Sequence, residues 1–151
     1  MKKINHIGLV PKNSKKLANQ LNDLLANYSI FYQNVRGCHW NIRGQKFFEL
    51  HVKFEELYND LFIKIDDIAE RVLTLGHTPE YRFSKYLTKA SIKESKQTND
   101  GIKNVEEILK AFQLLIAKQR NIAIYIQNYG NKNNYEKSEK LRIQFQKKRF
   151  I

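Results

Sequence analysis

The stretch GCHWNIRGQKFFELHVKFEELY, residues 37–58, holds two of the chain's four histidines, His39 and His51, twelve positions apart around Gly44. Both stand where the apolar face of a helix should continue. Downstream of His51 come Glu55, Asp66 and Glu70. With His51 at zero and about 100° per helical residue, Glu55 falls near 40°, Asp66 near 60° and Glu70 near 100°. One narrow stripe of a helix thus carries an imidazole and three carboxylates. Imidazole plus carboxylate is a donor set suited to iron or another divalent first-row metal. His39 ends the preceding helix, so a helical hairpin brings it to the His51 end, with packed axes roughly 8–10 Å apart.

The same spacing sets a limit. His51 and Asp66 are fifteen positions apart, which is about 22 Å along a helix, so one chain cannot bring both to one ion. One resolution is a twofold dimer with antiparallel second helices. His39, His51 and Glu55 of one subunit then face Asp66 and Glu70 of the other, and the symmetry makes two such sites. A di-iron site inside a single bundle uses Glu-x-x-His pairs. None occurs in this chain, which excludes that version on spacing.

The elements that must position these groups are helices. Leu17, Leu21, Leu24, Tyr28, Phe31 and Val35 recur at helical spacing, predicting a helix over residues 14–40 with Ser14 as its cap. A second is expected over 48–75, stopped by Gly76 and Pro79. Its apolar residues cover more than one face, so it needs neighbours on two sides. Residues 77–95 form a connection with one short helix. A third long helix is expected over 98–127, ended by Gly130 and the asparagines after it. Residues 135–151 are assigned a fourth helix on architecture, although LRIQFQ alternates with the period of a strand. The expectation is an all-α, antiparallel four-helix bundle with one longer connection between the second and third helices.

Composition bounds the rest. At 151 residues the chain should form one domain, with residues 1–13 a basic N-terminal tail and 131–151 a basic C-terminal segment. No apolar run reaches membrane-span or secretory-signal length, which makes the cytoplasm the default location. A single cysteine, Cys38, excludes an intramolecular disulfide framework, and it reads as a small buried thiol. The net charge is +12, yet seven of the fifteen acids lie within residues 49–70. Glu56, Asp60 and Asp67 among them read as solvated or paired with nearby cations. His6 and His77 have no partners at ligand spacing. The basic ends would attract DNA without sequence preference, or serve only as solvated surface.

The residues HWNIRGQKFFELHVKFEELY and IDDIAERVLTLGHTP resemble the Dps family, the miniferritins or DNA-binding proteins from starved cells. The similarity is close from Leu17 to Leu75 and looser through YLTKASIKE and the third helix. It implies a ferritin-like bundle and a ferroxidase site between twofold-related subunits. Its ligands would be His39, His51 and Glu55 of one chain with Asp66 and Glu70 of the next. Glu55 stands where many members have aspartate, and Trp40 where the family has a tryptophan that can act as one-electron donor. The resemblance further implies a hollow dodecamer that oxidises Fe(II), preferentially with hydrogen peroxide, and stores ferric mineral. Several members also coat DNA.

The C-terminal quarter departs from that pattern. YGNKNNYEKSEKLRIQFQKKRFI has Lys132 and asparagines where miniferritins carry a glycine- and aspartate-containing turn, and it lacks a second tryptophan. Two other outcomes are therefore carried forward: a nucleoid-binding protein with a vestigial iron site, and a bundle dimer without a complete shell.

Overall fold

The computed structural model describes residues 8–96 and 98–133. Among them are three long helices and one short helix: α1 (Pro11–Asn41), α2 (Phe47–Thr74), α3 (Phe83–Lys89) and α4 (Gly101–Asn133). No strand is present among the described residues, and no described helix is long and apolar enough to cross a membrane. The fourth bundle helix expected over 135–151 lies outside the described residues.

Helix α1 starts three residues earlier than its periodicity indicates. Pro11 opens it, where the missing N–H costs nothing and the fixed φ suits a first turn. Ser14 is consequently not the cap. It lies buried inside the first turn, and its hydroxyl donates to the Leu75 carbonyl (3.0 Å) at the end of α2. With its one proton used there, Ser14 Oγ accepts from His77 Nε2 at 2.9 Å. His77 therefore has a structural partner that its sequence position did not reveal.

The ends of the helices give their directions. Ser14 touches the end of α2, and the Val10 N–H donates to Tyr129 Oη (3.0 Å) near the end of α4. At the opposite pole the Arg43 N–H, just beyond α1, donates to the Asn99 carbonyl (3.1 Å) just before α4. So α2 and α4 both run antiparallel to α1, and the segment joining them must return the full length of the bundle.

Three asparagines on α1 tie that returning segment down. Asn22 Oδ1 accepts from the Glu80 N–H (2.8 Å). Asn27 Oδ1 accepts from Ser91 and Ile92 (both 2.9 Å), while its Nδ2 donates back to Asp23. Asn34 binds Ser95 N–H (3.0 Å) and the Lys93 carbonyl (2.8 Å). An irregular segment without its own ladder needs such partners for its amides. Asn27 is fully buried, so its bonds cannot be replaced by water.

The core lies between the long helices and contains Leu21, Leu24, Tyr28, Phe31 and Val35 of α1, Leu61, Ile68 and Val72 of α2, and Leu115 of α4. Phe31 meets Phe112 edge to face, with centroids 5.3 Å apart. The buried Tyr28 hydroxyl accepts from Gln119 Nε2, and burial pushes its pKa well above the usual phenol range. Helix α2 ends as expected at Gly76 (φ 80°). Its termination joins Gly76 N–H to Leu73 O (2.8 Å) and His77 N–H to Val72 O (3.2 Å), the Schellman pattern a left-handed residue permits.

Helix α4 differs from expectation at both ends. It begins at Gly101 because Asp100 caps it, its Oδ1 accepting from the Lys103 N–H at 3.0 Å. It continues past Gln127 to Asn133 despite Gly130. One glycine inside a helix costs only about 1 kcal/mol, which the packing of Tyr125 and Tyr129 against the core outweighs.

Replacing Asn27 by Ala leaves the Ser91 and Ile92 amides without acceptors and should cost about 2 kcal/mol or more. Urea denaturation of the variant checks this, and Asn34→Ala, at a more exposed rung, should lose less. Burial raises the Cys38 thiol to about 11, so the thiolate is scarce at neutral pH and becomes the majority form only above that value. A thiol reagent at pH 8 should label Cys38 slowly in the folded protein and rapidly in denaturant.

Candidate metal centre

The end of α1 and the start of α2 are joined by residues 42–46, with Gly44 at φ 102° turning the chain. That turn sets the two imidazoles face to face, with ring centroids 3.7 Å apart and planes 22° from parallel. Each ring bonds the backbone of the other's residue. His39 Nδ1 lies 2.8 Å from the His51 carbonyl, and His51 Nδ1 lies 2.9 Å from the His39 carbonyl. The His39 carbonyl belongs to the last turn of α1, where helical carbonyls run out of intrahelical donors. The Arg43 N–H that would otherwise close on it goes to Asn99 instead.

A carbonyl only accepts, so both Nδ1 atoms carry the proton. In a neutral ring the lone pair is then on Nε2. A backbone carbonyl on Nδ1 is a partner that metal-binding histidines commonly have, because it fixes both tautomer and ring direction. The pair is also walled by aromatics. Phe47 stacks on His51 at 4.9 Å, and Tyr58 meets His39 edge-on at 5.3 Å. His39 is buried and His51 half-buried. The aromatic neighbours were not anticipated: only the hairpin places Tyr58, from α2, beside His39.

Glu55 follows one turn after His51 and is exposed. Asp66 and Glu70 are exposed at the far half of α2, so the structure does not bring them to the histidines of the same chain. Among the described residues no three His, Cys, Asp or Glu side chains of one chain converge as metal ligands. That agrees with the separation of about 22 Å along the helix.

Ion pairing divides the acids of α2. Glu49 binds Lys46 (3.1 Å), Glu56 binds Lys53 (2.7 Å), and Asp60 binds the buried Lys64. Glu55, Asp66 and Glu70 have no cationic partner among the described residues. They share their stripe with large exposed apolar side chains. Phe48, Val52, Phe62, Ile63 and Leu73 fall at about 20–120° in the register that has His51 at zero. Phe48 is 82% exposed and Phe62 63%. A contiguous outward apolar stripe of this kind marks a surface that another molecule covers.

Trp40 is 56% exposed, and the Arg36 guanidinium sits 4.6 Å from its ring centroid. Cys38, next to His39 in sequence, is buried among core residues.

In the neutral imidazole form both His39 and His51 should be Nδ1–H tautomers, visible in long-range proton–nitrogen NMR spectra of the iron-free protein. A predominant Nε2–H form on either ring would contradict the reciprocal hydrogen bonding.

Comparison with known proteins adds an independent line. The family model for the ferritin-like domain matches residues 18–131. A DNA protection during starvation protein of Porphyromonas gingivalis is 43% identical over 124 residues, covering 82% of this chain and 78% of that protein. A Dps protein from Vibrio cholerae O1, described as a member of a broad superfamily of ferritin-like diiron-carboxylate proteins, superposes with a TM-score of 0.83 at 45% identity, covering 97% of this chain and 92% of that one. A Dps protein from Bacillus brevis superposes with a TM-score of 0.76 at 29% identity, over 90% and 91% of the two chains. The all-α bundle, its single long connection and these relatives agree: this chain belongs to the Dps family of ferritin-like proteins.

Proposed function

We propose that the protein is an iron-sequestering miniferritin that oxidises Fe(II), preferentially with hydrogen peroxide, at dinuclear sites between twofold-related subunits. The observation that carries this reading is the stripe on α2. Its acids, Glu55, Asp66 and Glu70, have no ion-pair partner among the described residues. They lie among exposed hydrophobic residues that a second copy would bury.

Two α2 helices packed antiparallel about a twofold axis would set His39, His51 and Glu55 of one chain opposite Asp66 and Glu70 of the other. Covering Phe48, Val52, Phe62, Ile63 and Leu73 would supply the driving force, at about 25 cal/mol per Å² of apolar surface removed from water. The donor set suits iron as substrate. Two Nε2 lone pairs and three carboxylates bind Fe(II), and the accumulated negative charge favours the higher charge of Fe(III). Each peroxide takes one electron from each of two Fe(II) ions and leaves as water after protonation. Trp40, adjoining His39, would be a one-electron donor beside the site. Diverting peroxide in this way prevents its release as hydroxyl radical near DNA.

The dimers would assemble into a dodecameric shell that holds ferric mineral in a cytoplasmic cell compartment. The net charge of +12 supports additional DNA coating without sequence preference. Such coating should weaken steeply with salt, and a protein that retards DNA but oxidises no iron would be the nucleoid-binding alternative. Light scattering distinguishes the shell from an isolated dimer by a mass near twelve chains.

Subunit mixing tests the shared site. His51→Ala and Asp66→Ala homo-oligomers should each lose the fast phase of Fe(II) oxidation by peroxide. When the two variants are unfolded together and co-assembled in equal amounts, half the dimers are mixed. Each mixed dimer regains one intact site, because both defects fall in the other, so roughly a quarter of the wild-type fast phase should return. No recovery in verified mixed dimers would place the ligands within one chain.

A further inference from the structure

A cavity of about 400 Å³ lies between α1, α4 and the connection from α3 to α4, and no residue of α2 lines it. Its floor is Phe31, Val35 and Cys38 of α1 with Ile108, Ala111 and Leu114 of α4. Small side chains leave the space: Cys38 and Ala111 on the two helices, Ser91 and Ser95 on the connection. Hydrogen bonds hold the walls. Asn34 Nδ2 donates to the Lys93 carbonyl (2.8 Å), and Asn34 Oδ1 accepts from the Ser95 N–H (3.0 Å). The Ser95 hydroxyl in turn donates to Glu107 Oε2 on α4 (2.7 Å). The connection is thus fastened to both helices, and the cavity is formed before anything enters it.

The rim is charged, with three lysines (Lys93, Lys96, Lys110) against two glutamates (Glu94, Glu107). Glu107 is bound by Ser95, and the Lys93 ammonium donates to the Ala90 carbonyl (2.7 Å). Lys96 and Lys110 are exposed and have no carboxylate partner among the described residues. The floor is poorly hydrated by contrast. Burial, and then the charge of Glu107, raise the Cys38 thiol to about 11.

We propose that this cavity binds a medium-chain fatty carboxylate, with the hydrocarbon chain on the floor and the carboxylate held by Lys96 and Lys110. The site is independent of the ferroxidase reading, because it uses none of the residues named there for iron.

The chemistry of the lining selects this class. Apart from Cys38, the floor offers contact and no side-chain hydrogen bond, which suits a hydrocarbon chain and gives a strongly polar ligand nothing in exchange for its water. The volume lies within the range of roughly 300–1,000 Å³ usual for small-ligand sites. At the rim the excess of cationic groups attracts a carboxylate and repels an ammonium. A neutral chain would gain the floor but nothing from the two lysines.

Two measurements on the intact, iron-free assembly test the site. The first is titration calorimetry with hexanoate, octanoate and decanoate. Affinity should rise about fourfold per added methylene, the gain expected when each leaves water. Decylammonium should bind about tenfold more weakly than decanoate, and Lys96→Gln combined with Lys110→Gln should weaken decanoate by a similar factor. Ala111→Leu fills the floor and should remove decanoate binding. Unchanged affinity in correctly folded Ala111→Leu would place the ligand on the basic surface instead and overturn the site. Should that variant misfold, the exposed lysine pair still decides, since unchanged affinity there would overturn the carboxylate assignment, as would decylammonium binding as tightly as decanoate.

The second measurement reads the floor directly. Decanoate at about ten times its Kd should slow the labelling of Cys38 by a thiol reagent about tenfold, and acetate at the same concentration should not. Labelling unchanged by bound decanoate would show that the chain does not lie on Cys38 and would sink the proposal. Neither experiment contains iron, so a wild type that catalyses no iron oxidation would fault the ferroxidase reading and leave both results on the cavity intact.

Discussion

The reciprocal hydrogen bonds between His39 and His51 are the interaction on which the geometry of the α1–α2 hairpin, and the metal chemistry proposed for it, depends. A helix end leaves carbonyls without donors, and an imidazole without a fixed partner can present either nitrogen. Joining the two problems solves both. The His39 carbonyl gains a donor, each Nδ1 has a defined acceptor, and two Nε2 atoms are left for a ligand. Stacking at 3.7 Å, with Phe47 and Tyr58 against the pair, holds the rings in that arrangement. The pair belongs to the turn as much as to the proposed metal site, so folding sets the geometry of both.

The second constraint is reach. A straight α2 cannot fold its far acids back to its near histidine, and the bundle is too rigid to bend it. The helix therefore keeps Glu55, Asp66 and Glu70 outward and leaves Phe48, Val52, Phe62, Ile63 and Leu73 exposed with them. In an isolated chain that is an unfavourable surface. In the proposed twofold assembly the same apolar residues would provide the adhesion and the acids the site, which would couple iron oxidation to oligomerisation. Lysines neutralise the neighbouring Glu49, Glu56 and Asp60 but not the three stripe acids, so negative charge is concentrated where a cation would be held.

The bundle's topology imposes a cost of its own. Because α2 and α4 run in the same direction, the connection has to retrace the whole length of α1. Asn22, Asn27 and Asn34 supply its hydrogen bonds, and α3 covers part of α1 through the buried Tyr86. The long connection and its short helix were legible in the chain, but the bonds that hold it were not. Three asparagines scattered along an amphipathic helix look like ordinary polar surface, and their partners are 58 to 65 residues away in sequence. Ser14 misled for the same reason: a serine near a helix start reads as a cap, and only the end of α2 reveals the buried bond it makes. The extent of α4 was set by packing of Tyr125 and Tyr129, which a local rule about glycine does not register.

What the chain by itself determined was periodic and local: three long amphipathic helices, the stop at Gly76, and the angular register that lines up His51, Glu55, Asp66 and Glu70. Those follow from fixed rise and turn per residue, so spacing alone carries them, and with them the conclusion that one chain cannot complete the site. What only the tertiary structure decided was which atoms meet. The tautomer of the histidines, the aromatic walls from Phe47 and Tyr58, the lysines that neutralise some acids and spare others, and the asparagine rungs all depend on contacts between segments distant in sequence. Side-chain chemistry is written in the residue order, but the orientation that makes it usable is a property of the packed hairpin.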